Sequence, residues 1–314
     1  MVTSRRGRSP APAGGRATIP LGRALSRRPP QMADGPIQKF LTSQRIPISY
    51  WDWGNQAAPP LVLVHGGKDH SRQWDRIAEA LRDTYHVVAL DLRGHGDSGW
   101  TPGGTYGLPD NAIDVIKVIE AVGAPARVLA HSYGGSVSLV AAGTYPDHFL
   151  KLAVMEGTHS LNPRDDNEMG PKWLRAWGDR IRSYEESTPR VYPTIEAAAE
   201  RIAEANPRLP ADFVPHLTAY AAKPVEGGYV WKYDWWVNGR TSMEIRREEL
   251  PRFWQAVTCP VLHLFARHGQ ANQVHDAEKY FQNARTDYIE DAGHWMHHDQ
   301  PEATLAALRP FFAE

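Results

Sequence analysis

The run Ala130-His131-Ser132-Tyr133-Gly134-Gly135 most constrains how this chain can fold. It closes a short apolar run, Arg127-Val128-Leu129, and opens an amphipathic one containing Val137, Leu139, Val140 and Ala141. A β-rich run that stops at a serine, meets two glycines and turns helical is the sequence form of a strand–serine–helix corner. A turn this sharp puts the serine in a strained backbone conformation and closes only if the residues two positions to either side are small. The hydroxyl is then expected beyond the sheet edge, over a helix N-terminus, where developing negative charge is stabilised.

The surrounding pattern alternates strands and helices from residue 37 onward, as in a mostly parallel sheet covered on both faces. Residues 46–53, 61–64, 86–90 and 149–155 read as strands, with Leu61-Val62-Leu63-Val64 continuously apolar, as a doubly buried strand requires. Ser71 is placed to cap a helix carrying Trp74, Ile77, Ala78 and Leu81, and residues 109–122 form a second helix stopped by Gly123. Between 158 and 250 the alternation breaks. That stretch reads mainly helical and unusually aromatic, with Trp173 and Trp177 four apart, a helix capped at Thr194, then Trp231, Trp235 and Trp236. Strands resume at 261–265 and 286–289, with a helix expected around Asp276 and a last one from Pro301 to Phe312. The expected organisation is a leader over 1–34, a core from 35–157 and 251–314, and an inserted lid over 158–250.

Charge divides the chain as sharply. Net charge is −1, yet residues 1–31 hold seven arginines and no acid. Taking those seven from 35 Lys and Arg leaves 28 basic against 36 acidic residues, so the body is near −8. The leader is rich in Pro, Gly, Ser and Ala, a composition that predicts disorder. It is open to reading as an organelle presequence, a basic tail, or an extension without function that precedes an alternative start at Met32, and the last is preferred. The acidic body argues against nucleic-acid binding, and no apolar run approaches the roughly 18 residues of a membrane helix. The single cysteine, Cys259, allows no intrachain disulfide and reads as a buried thiol, which permits a reducing, cytoplasmic location.

The serine corner is one of a set in fixed order. His65-Gly66-Gly67 follows the strand 61–64, Asp91 to Gly99 follows the strand 86–90, and Asp291-Ala292-Gly293-His294 precedes the terminal helix. Together these resemble the alpha/beta hydrolase family, with Ala130 standing for the first glycine of Gly-x-Ser-x-Gly. Val191-Tyr192-Pro193 and Leu264 to Gly269 further resemble the serine hydrolase-like proteins within it. The resemblance covers residues 37–313 and implies an α/β-hydrolase fold, a mostly parallel doubly wound sheet with an inserted helical lid. It implies Ser132 as nucleophile, His294 as general base, and the N–H groups of Gly67 and Tyr133 as oxyanion donors, with His95 outside the triad. The family's usual aspartate is missing: residues 266–274 contain no carboxylate. Glu156, at the end of the strand after the corner helix, is therefore taken as the third member, since some family members place the acid there.

Serine argues against dehalogenase and epoxide hydrolase chemistry, which in this fold uses aspartate at the corner. The leading expectation is an esterase or lactonase acting on a small or medium apolar substrate, with His65, Trp173, Trp177, Trp235 and Trp295 as candidate pocket residues. Carbon–carbon hydrolysis or cofactor-free oxygenation is a second reading, and a non-catalytic ligand-binding protein a third. No cofactor or metal is implied: His297 and His298 lack the partners of a zinc motif.

Overall fold

The computed structural model describes residues 35–103, 106–158, 161, 170–239, 244–270 and 273–313, so the arginine-rich leader and Met32 lie outside the described residues. The sheet starts from an antiparallel pair, β1 (Ile37–Ser43) and β2 (Ile46–Asp52). It continues through β3 (Pro60–Val64), α1 (Asp75–Leu81), β4 (His86–Leu90), α2 (Leu108–Val122), β5 (Ala126–His131), α3 (Tyr133–Thr144) and β6 (Phe149–Met155). The crossover after β6 carries α4 (Pro171–Glu185), α5 (Ile195–Ala205), α6 (Val214–Ala221), the hairpin β7 (Ala222–Val225) and β8 (Gly228–Trp231), and α7 (Leu250–Gln255). The chain closes with β9 (Val261–His268), β10 (Ala284–Gly293), α8 (Met296–Asp299) and α9 (Pro301–Ala313).

Eight strands form one sheet in the order β1-β2-β4-β3-β5-β6-β9-β10, parallel from β4 onward. Strand β3 shows why the fold forms. Its residues Leu61 to Val64 are fully buried, Val62 and Val64 packing with α2 and α3 on one face, Leu61 and Leu63 with Trp74 and α9 on the other. Each such side chain contributes about 1.5–3 kcal/mol on burial, so a continuous apolar strand is stable only in a sheet covered on both sides. β6 pairs directly with β9, Leu152 opposite Val261 to Met155 opposite Leu264, although the whole crossover segment separates them in sequence.

The structure corrects three local expectations. Ser71 does not cap α1: a 3-10 turn, Ser71–Trp74, comes first, and its N-cap is His70 with no side-chain hydrogen bond. The Ser71 N–H is instead taken by Asp91 at 2.7 Å, a contact between two loops that helix periodicity cannot reveal. No α-helix forms around Asp276; the described residues there hold only a 3-10 turn, Ala277–Tyr280, too short a run to propagate a helix. The aromatic crossover is not purely helical, because Gly227 (φ 82°) and Gly228 (φ 146°) let the chain reverse between β7 and β8. Thr194 does cap α5, accepting the Ala197 N–H at 3.2 Å. Among the described residues, no helix is long and apolar enough to cross a membrane. Cys259 is buried, and burial pushes its thiol up to about 12.

Several histidines are sealed in this interior. His298 is 2% exposed, neither ring nitrogen meets a partner among the described residues, and burial pushes its pKa down to about 3. The unfolded chain protonates this group near pH 6.5 and the folded one does not, so its stabilising contribution is complete above pH 6.5 and declines as pH falls. Each pH unit below that value costs about 1.4 kcal/mol per such group. His298→Leu should therefore lose less stability on acidification than the parent, by on the order of 3 kcal/mol between pH 6.5 and 4. Denaturant titrations at the two pH values test this; parallel losses in both proteins would refute it.

Candidate active site

The sheet places its chemistry at one edge, the carboxyl ends of β3, β5, β6, β9 and β10, where open parallel sheets bind ligands. Ser132 follows β5 with φ 51° and ψ −121°, the strained corner expected from the sequence. Its N–H bonds the Met155 carbonyl of the neighbouring strand at 2.8 Å, which holds the turn against that strain. Gly134 explains the small-residue requirement: a Cβ there would sit 2.3 Å from the His65 carbonyl oxygen. At the preceding small position Ala130 is fully buried, so a methyl group fits where the usual motif has glycine.

His294 lies beyond β10, in a segment where the β9–β10 ladder shifts register between Ile289 and Gly293. Its Nε2 is 3.0 Å from Ser132 Oγ and its Nδ1 is 3.4 Å from Glu156 Oε2. Glu156 ends β6 with φ 51° and is fully buried. Two backbone donors meet its carboxylate: the Ala266 N–H at Oε1, 3.0 Å, and the Gln270 N–H at Oε2, 2.9 Å. The end of β9 and the turn after it, devoid of carboxylates, thus form the cradle for one supplied by the neighbouring strand. Gly269 is part of that cradle, since a Cβ there would lie 2.2 Å from Glu156 Oε1.

The other sequence candidates fall in different places. Gly67 and Tyr133 stand side by side next to Ser132: a Cβ on Gly67 would be 3.7 Å from that of Tyr133, which opens α3. Trp295 adjoins the hydrogen-bonded chain, its ring edge-on to His294 at 5.1 Å. Trp235 packs edge-on against Trp100 at 5.5 Å, and Trp173 and Trp177 are half-buried on α4. His65 sits below the surface. It is fully buried beneath the site, its Nδ1 2.6 Å from the Gly66 carbonyl and its Nε2 accepting the Leu92 N–H at 3.0 Å. Burial pushes its pKa down to about 4, so it serves as a neutral brace between two loops. His95 is likewise buried, ring to ring with His65. The Asp91–Gly99 loop is bound internally: Asp91 Oδ2 accepts the Asp97 N–H and Ser98 Oγ donates to the Asp91 carbonyl.

Two features had no signal in the linear pattern. His131 Nε2 lies 2.9 Å from the His294 carbonyl, joining the residue before Ser132 to the histidine loop. Tyr133 Oη donates to the Tyr106 carbonyl at 3.0 Å, and Tyr106 Oη in turn donates to Asp234 of the crossover segment. Among the described residues, no group of three or more His, Cys, Asp or Glu side chains could hold a metal ion.

Comparison with known proteins agrees with this architecture. The model of a family described as "Alpha/beta hydrolase family" matches residues 61–308. A serine hydrolase-like protein of Danio rerio is 26% identical over 293 residues, 88% of this chain and 89% of the relative. An esterase of Mycobacterium tuberculosis is 24% identical over 288 residues, covering 88% of this chain and 90% of that protein. Among solved structures, a thioesterase domain from the curacin biosynthetic pathway superposes with a TM-score of 0.77 at 22% identity, covering 87% of this chain and 98% of the domain; at that identity the likeness is one of fold.

The Gly269 contact yields a specific expectation. Gly269→Ala should push the Glu156 carboxylate out of its cradle, because the atoms the new Cβ would meet are those of that side chain and not backbone. Turnover should fall about 10- to 100-fold, the scale of an ångström-level misplacement, with a native circular dichroism spectrum. Unchanged turnover would show that the Glu156 position is irrelevant.

Proposed function

The chain belongs to the alpha/beta hydrolase family, and on that premise we propose that this hydrolase is a serine esterase or lactonase working through an acyl-enzyme on Ser132. The observation that carries the reading is the continuous chain from Ser132 Oγ through His294 to the buried Glu156 carboxylate. His294 Nε2 takes the hydroxyl proton as Ser132 Oγ attacks the acyl carbon, and Glu156 holds Nδ1–H toward itself, fixing the tautomer and stabilising the imidazolium. The N–H groups of Gly67 and Tyr133, together with the positive end of α3, face the developing oxyanion, each donor contributing on the order of 3 kcal/mol. His294 returns its proton to the leaving alkoxide. Water, activated by the same histidine, then releases the acid.

The half-buried tryptophans of the lid and histidine loop, Trp173, Trp177, Trp235 and Trp295, suit a fairly apolar small or medium ester. The hydrolytic reading is preferred to a non-catalytic one because Glu156, held by two backbone donors of the carboxylate-free stretch 266–274, can supply the acid that this stretch lacks.

A fluorophosphonate probe should label the wild-type protein and not Ser132→Ala. Glu156→Gln should keep its fold and lose at least about a hundredfold in kcat on a p-nitrophenyl ester, with KM little changed. Absence of wild-type labelling would exclude an activated serine, and near-normal turnover of Glu156→Gln would remove Glu156 from the mechanism.

A further inference from the structure

The loop that carries Gly67 also carries Asp69, a partly buried carboxyl for which acyl transfer as drawn above has no use. Its Oδ1 accepts the His70 N–H at 2.9 Å, and the carboxyl also accepts a hydrogen bond from the Trp295 side chain. Trp295 is the residue after His294, and the two rings meet edge to face at 5.1 Å and 78°. On the other flank His131 packs its ring 4.7 Å from His294 and 6.4 Å from Trp295.

The backbone around His294 belongs to no long regular element. The β9–β10 ladder is irregular from Ile289 to Gly293, Asp291 has φ 48°, and Trp295 lies outside helical geometry at φ −98° and ψ 57°. The helix that follows, α8, has four residues. Side-chain contacts therefore add to what holds this loop, and catalytic geometry is sensitive to shifts of about an ångström.

We propose that Asp69 is a positioning residue for His294, locking the histidine loop to the oxyanion loop through the indole N–H of Trp295. The proposal rests on the reading of His294 as general base. A carboxylate grips that N–H with a charge-assisted bond, whereas the neutral acid holds it more weakly. Burial, with a smaller contribution from Asp91 at the end of β4, pushes the Asp69 carboxyl up to about 7, while its bonds from His70 and Trp295 oppose the rise. Of the remaining titratable groups nearby, His70 is kept neutral by burial, Lys68 is exposed, and His294 lies beyond the indole. Raising pH through neutrality thus tightens the lock.

The test is a double-mutant cycle of Asp69→Asn, Trp295→Phe and the pair. It reads kcat and KM on p-nitrophenyl butyrate and the rate of fluorophosphonate labelling, from pH 5.5 to 9. Each single variant is expected to lose about tenfold in kcat with KM within about twofold. The double variant should lose no more than either single one, and the limb near pH 7 that Asp69 adds to the wild-type profile should vanish in both. Losses that multiply, a change confined to KM, or a limb retained in Asp69→Asn would overturn the proposal. If Asp69→Asn does not fold, Trp295→Phe decides by the same kcat loss and flattened profile. A wild-type protein that is not labelled overturns the hydrolase reading and this one together; labelling with an additive cycle overturns this one alone.

Discussion

A carboxylate without access to water is tolerable only when its lone pairs are met, and the site is organised around that constraint. Glu156 is met by the Ala266 and Gln270 amides and by His294. With Glu156 itself these partners span three separate stretches of chain, so satisfying one buried group draws together the end of β6, the end of β9 with the turn that follows it, and the loop after β10. The parallel pairing of β6 with β9 brings the first two into register, and the Glu156 N–H bond to Leu264 at 3.0 Å completes it. An unpaired buried carboxylate would cost several kcal/mol. The same bonds that remove this penalty hold the imidazole in place against Ser132.

The site was legible where chemistry forces an unusual local sequence. A serine at φ 51° needs small neighbours, and Gly134 and Ala130 record that need in one dimension. Glu156 could be reached because the stretch 266–274 lacks an acid and a strand end nearby supplies one. What stayed hidden was whatever depends on contacts between loops distant in the chain. His65 resembles a pocket residue in a Gly-rich turn, yet the Leu92 N–H fixes it as a neutral brace under the turn. Ser71 has the residue type of a cap but gives its N–H to Asp91. The hairpin in the crossover is likewise set by pairing rather than periodicity, its four-residue strands being too short to show alternation.

The crossover segment is tied to the core on two flanks. On one, Asp234 accepts from Tyr106 and gives its own N–H to Gly94 at 2.7 Å, while Lys232 pairs with Asp97 at 2.8 Å. On the other, the Arg72 guanidinium lies 4.1 Å over Tyr220, and His70 Nε2 is 3.1 Å from the Leu217 carbonyl. The first flank reaches Tyr133 through the Tyr106 main chain, and the second reaches the oxyanion loop through His70. Both groups proposed to bind the oxyanion are therefore braced from the covering segment as well as from the sheet.

The cradle formed by the end of β9 and the turn beyond it supplies only main-chain N–H groups to the buried acid. Arg267, His268 and Gln270 turn exposed side chains outward while the polypeptide beneath them does the holding. The placing of the acid is thereby uncoupled from side-chain identity at three surface-facing positions, 267, 268 and 270, but not at Gly269 between them. Substitution at these three positions would reshape this rim while leaving the Glu156 carboxylate and its contact with His294 in place.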